Sequence, residues 1–70
     1  MDPVTELLGP RGRVAAIAQV IRSPHGTVWE WKRNASIPHW RRPAVLEGVR
    51  QLRITPSPEV LAYLAAVEAE

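Results

Sequence analysis

Aspartate or serine stands directly before a proline three times, as Asp2-Pro3, Ser23-Pro24 and Ser57-Pro58. Asp and Ser side chains accept from the unpaired amides that open a helix, and proline fits the first helical position because its missing N–H has no partner there. Each pair therefore predicts a helix start. Breaks are expected at Gly9-Pro10, across Asn34-Ala35-Ser36-Ile37-Pro38 and at Thr55-Pro56. A chain punctuated this often makes only short helices. No alternating segment is long enough for a sheet, although Arg53-Ile54-Thr55 is compatible with a brief strand.

Apolar spacing fills in the helices between these signals. Val4, Leu7 and Leu8 give a face to a helix over about residues 3–8, and Val14, Ile17, Ala18 and Ile21 to a second running to about Arg22. In the third, Val28 and Trp31 are three apart and face inward, while His25, Trp29 and Arg33 line another face at intervals of four. A fourth helix begins between Pro38 and Pro43 with Val45, Leu46, Val49 and Leu52 as its buried face, and Val60, Leu61, Leu64 and Val67 stripe the last. The expectation is an all-α fold, a compact bundle of about five short helices forming a single domain over residues 1–70, with 56–70 a C-terminal helix used in packing or dimerisation.

Seventy residues without cysteine exclude disulfides and thiolate zinc sites, and two histidines alone cannot complete a metal site. No cofactor is expected. No nucleophile stands beside a base, and there is neither a glycine-rich phosphate loop nor a pair of carboxylates suited to a pocket, so an enzyme is not expected. No apolar run approaches a bilayer span, and Met1-Asp2-Pro3-Val4 lacks the basic and apolar regions of a secretory signal. The expected location is cytoplasmic, associated with the nucleoid. Residues 22–42 hold five basic and one acidic side chains, a local +4, whereas residues 43–70 hold two basic and four acidic. The middle third suits phosphate binding.

The segment Arg13 to Arg33, RVAAIAQVIRSPHGTVWEWKR, resembles the phage Cro and repressor class of helix-turn-helix proteins, including the small Cro-like or YdaS-like regulators. With Val14 as the first motif residue, Ile17, Ala18, Ile21, Val28 and Trp31 fall at buried framework positions. Ile37-Pro38 is a further shared feature. The position usually held by glycine in the turn is Arg22 and the next, usually apolar, is Ser23, so the turn is expected to differ in conformation or to be one residue longer. The resemblance implies a lambda repressor-like fold, with the helix-turn-helix at about residues 14–33, and sequence-specific binding of double-stranded DNA by a transcriptional regulator. The simplest form is a homodimeric repressor on a palindromic promoter operator.

A recognition helix in the major groove would set His25, Gly26, Trp29, Glu30 and Arg33 against base edges, with Arg33 matched to guanine and Glu30 to cytosine or to the orientation of Arg33. Arg13, Arg22, Ser23, Thr27, Lys32, Arg41 and Arg42 are the expected phosphate contacts, which set register rather than sequence. Leu61, Tyr63, Leu64 and Val67 are the expected dimer surface. Other readings remain open: an activator, an antitoxin-type regulator, or a helix-turn-helix scaffold presenting Trp29 and Trp40 to another protein such as RNA polymerase. Within these, Glu30 is equally an intrahelical partner for a neighbouring cation, and Arg41-Arg42 a solvated helix start.

Overall fold

In the computed structural model, which describes residues 2–65, Asp2 caps the first helix as its sequence predicts. Its Oδ1 accepts from the Thr5 amide at 2.8 Å and its Oδ2 from the Thr5 hydroxyl at 2.7 Å. Helix α1 spans Pro3–Leu8, α2 Arg13–Val20 and α3 His25–Asn34; a single 3₁₀ turn at His39–Arg41 leads into α4, Arg42–Gln51, and α5 covers Pro58–Ala65. The Ser57 hydroxyl accepts from the Val60 amide at 3.3 Å at the start of α5. The all-α expectation holds, and the described residues include no strand.

Ser23 does not act as the cap of α3. The capping position is Pro24, in an extended conformation, and its carbonyl accepts from the Thr27 and Val28 amides. The reason lies at the end of α2, where the Ser23 amide donates to the Ala18 carbonyl at 2.9 Å and the Arg22 amide to Gln19 at 3.2 Å. This paired closure of a helix requires a left-handed residue between them. Arg22 supplies it at φ 59°, so the turn takes the conformation for which glycine is the usual residue, and not the different one expected from the sequence. The same closure recurs twice. Ala35, at φ 53°, precedes a Ser36 amide bonded to Trp31, and Arg53, at φ 58°, precedes an Ile54 amide bonded to Val49. Arg53-Ile54-Thr55 therefore ends a helix rather than pairing as a strand.

The core is one apolar cluster. Val4, Leu7 and Leu8 of α1 meet Val14, Ile17 and Ala18 of α2, Val28 and Trp31 of α3, Ile37, Val45 and Val49, and Val60 and Leu64 of α5. Burying an aliphatic side chain of this size contributes about 1.5–3 kcal/mol, which is how a chain without crosslinks offsets its ordering entropy. Ile21, Leu46, Leu52, Ile54 and Tyr63 are only partly buried around it. The α2 and α3 helices make the most extensive pairing, α1 bridges α2, α3 and α5, and α4 lies against α2 and α5. Gly48 permits the approach of α4 to α2, since a Cβ there would sit 2.7 Å from Val20 Cγ1 and 3.0 Å from Ile21 Cγ2. A Cα radius of gyration of 10.7 Å agrees with the about 11 Å expected for a folded chain of this length.

Candidate nucleic-acid interface

Two anchors orient α3. Val28 and Trp31 are buried in the core, as their spacing predicts, and this turns His25, Gly26, Trp29, Glu30 and Arg33 to the exposed surface. The helix opens with no side-chain cap and no acidic residue in its first turn, leaving the positive end of its dipole uncompensated, while Lys32 and Arg33 occupy the last turn. Only four residues, Ile21 to Pro24, separate α2 from α3.

On the exposed face, Arg33 Nη1 stands 3.7 Å from Glu30 Oε2, and the guanidinium lies 5.9 Å from the centroid of the Trp29 ring. Trp29 itself is 45% exposed. Glu30 thus pairs with Arg33, one of the alternatives open in the sequence. Nothing is within 4 Å of the position a Cβ would take at Gly26, so the surface there is open to the approach of a ligand backbone.

The expected phosphate contacts divide in two. Arg22 is exposed, and Lys32 and Thr27 are half-buried beside the α3 face. Arg13, Arg41 and Arg42 are instead engaged within the chain. Arg13 Nη1 donates to the Leu7 carbonyl at 3.1 Å, closing the end of α1. Arg41 donates through Nη2 to the Ser23 hydroxyl in the α2–α3 turn, and its guanidinium lies 5.6 Å from the Trp31 ring centroid and 5.3 Å from that of Trp40. Arg42 Nε donates to the Ile37 carbonyl at 3.0 Å, and its guanidinium covers the Tyr63 ring at 4.0 Å. A guanidinium has five N–H groups, so an internal bond does not exhaust its donors. It does fix where the charge is held, and neither Arg41 nor Arg42 is merely a solvated helix start.

The proposed dimer surface is redistributed in the same way. Leu64 is buried in the core of its own chain, and the Tyr63 hydroxyl is bonded to Ile37 and Arg42, which corrects the expectation that both face a partner. Their stripe is turned inward because α5 must cover α1 and α4. Leu61 is 44% exposed, and Val67 lies outside the described residues.

The roles of Arg41, Arg42 and Gly48 were not readable in advance. They depend on contacts between positions 18, 21 and more residues apart, and the signal available, adjacent arginines before a proline, is shared by any basic helix start. An open cleft of about 370 Å³ between the end of α1 and the α4–α5 connection is lined by Glu6, Arg13, Arg53, Thr55 and Ser57 among others. No group of three His, Cys, Asp or Glu side chains among the described residues is arranged to hold a metal, and no helix there is long and apolar enough to cross a membrane. Comparison with protein-family models, with curated proteins and with solved structures finds no match.

Proposed function

We propose that this protein binds double-stranded DNA in a sequence-dependent manner through α3 and regulates transcription, most simply as a dimeric repressor occupying a palindromic promoter operator. The observation that carries this reading is the α3 surface. A helix pinned from behind by Val28 and Trp31 presents His25, Gly26, Trp29, Glu30 and Arg33 outward in the most basic third of the chain. A major groove about 12 Å wide admits such a helix, and the base edges inside it are distinguishable by side-chain donors and acceptors. Arg22 and Lys32 flank that face and supply the phosphate contacts that set its register, supported by the uncompensated amino terminus of α3.

A two-fold dimer would place two such helices about 34 Å apart, one turn of the duplex. Leu61 is the exposed residue of α5 that favours such an arrangement. A second reading, a scaffold for a protein partner, draws on Trp40, which is 69% exposed beside Arg41.

Salt separates the two readings, because a DNA binder releases counterions and loses affinity by orders of magnitude as salt rises, whereas an apolar contact barely responds. The test is capture of sheared genomic DNA at about 150 mM salt by the wild-type chain beside Arg33→Ala and Lys32→Ala. The expected result is a short palindromic motif, relaxed at one base position in Arg33→Ala and weakened alike for all sequences in Lys32→Ala. Uniform or absent recovery by the wild-type chain overturns the proposal.

A further inference from the structure

Glu30 is the only acidic residue between Glu6 and Glu47, and it stands in the most basic stretch of the chain. Its carboxylate is 56% exposed and the guanidinium it meets, Arg33, is 63% exposed. Ion pairs this open to solvent contribute little to stability, so the fold does not account for an acid at this position. On a surface that binds only phosphate, a carboxylate is unfavourable. On a surface that reads bases it has a use, since carboxylates accept from the cytosine N4 amino group and arginine donates to guanine O6 and N7.

The geometry sharpens this. Arg33 Nη1 and Glu30 Oε2 are 3.7 Å apart, close to the about 3.4 Å that separates stacked base pairs. A carboxylate and a guanidinium held at that separation match the spacing of neighbouring base pairs without having to part. Trp29 contributes an aromatic ring beside the guanidinium, its centroid 5.9 Å away, within cation–π range. We infer that Glu30 and Arg33 form one reading unit that selects a cytosine and a guanine in adjacent base pairs, with Trp29 holding the guanidinium in position. This inference rests on the assignment of α3 to the major groove.

The experiment is selection from a pool of randomised duplexes by the full chain, by Glu30→Gln and by Arg33→Ala, with circular dichroism confirming that both variants, changed only at exposed positions, remain folded. The wild-type chain is expected to enrich a motif with cytosine and guanine in adjacent pairs. In Glu30→Gln the preference at the cytosine position moves toward adenine by about tenfold or more, because a side-chain amide matches adenine N6 and N7, and the guanine is retained. Arg33→Ala loses the guanine preference. A wild-type motif lacking adjacent cytosine and guanine, or one unchanged in Glu30→Gln, overturns the inference while leaving α3 as the DNA-binding element. A pool returned by the wild-type chain without enrichment removes the assignment of α3 and the inference with it.

Discussion

The Tyr63 hydroxyl accepts a hydrogen bond from the Ile37 amide at 2.8 Å and donates to the Ile37 carbonyl at 3.3 Å, joining the loop after α3 to the last helix across 26 positions of sequence. Arg42 completes the joint by donating to the same hydroxyl at 3.1 Å and covering the ring. Ile37 is buried, so its amide has few alternatives. Tyr63→Phe is expected to cost about 1–3 kcal/mol, the penalty for leaving a buried donor without its partner. Urea denaturation checks this as a lower midpoint at unchanged slope; an unchanged midpoint would mean that water takes over the role of the phenol.

Ala35 and Arg22 hold left-handed conformations that penalise any Cβ. Ala35→Gly is expected to stabilise the chain by about 0.5–1 kcal/mol, the steric relief exceeding the extra entropy of glycine. Arg22→Gly gains a similar amount in thermal unfolding. It also removes an exposed cation from the turn before α3, so the slope of log affinity for DNA against log salt should shrink by about one per chain. A variant that is stabler and binds with an unchanged slope would take Arg22 out of the interface.

Gly48 has no room for a side chain. Glycine inside a helix ordinarily gives way to alanine with a gain of about 1 kcal/mol, but here the added Cβ meets the branched carbons of Val20 and Ile21. Gly48→Ala is expected to lose about 1–3 kcal/mol through overpacking. In Gly48→Ala combined with Val20→Ala the two effects should be markedly less than additive, as measured by a double-mutant cycle in urea.

Asp2 carries a carboxyl held below its ordinary value of 3.8, first by the Thr5 amide and then by the Thr5 hydroxyl, both of which favour the charged form. A depressed folded-state value means that the unfolded chain binds the proton more readily. The stabilisation is therefore fully present above pH 3.8 and disappears as pH falls through the lower, folded-state value. Asp2→Asn keeps a capping oxygen but cannot titrate. Its stability relative to the wild-type chain should rise as the pH drops below 3.8, measured by thermal melts across that range; parallel curves would show that the cap is already lost.

Most of the helix positions were legible in the residues, and the reason is local. Asp2 bonds to Thr5 and Ser57 to Val60, each three residues on, so a cap is specified by the few residues around it. The inward pairs Val28 with Trp31 and Val45 with Val49 follow from helical periodicity and required no knowledge of what they would pack against. Ser23 shows where such reasoning stops. Its sequence signal is that of a cap, but its amide is drawn into the close of α2 and its hydroxyl to Arg41, because the two helices compete for the same short turn.

That the chain is helical, where it breaks, and that its positive charge concentrates in α3 and on either side of it can all be read from neighbouring residues, because propensity, capping and charge density are local properties. Which polar groups remain available at the surface depends instead on how the helices pack. Arg13, Arg41, Arg42 and Tyr63 looked like surface chemistry and became joints between elements, whereas Glu30 and Arg33 stayed outside as a pair. The physical reason is that a small core leaves loop carbonyls and aromatic rings near the surface, and whether a long cation bonds to them or to solvent depends on distances that only the packing of helices sets.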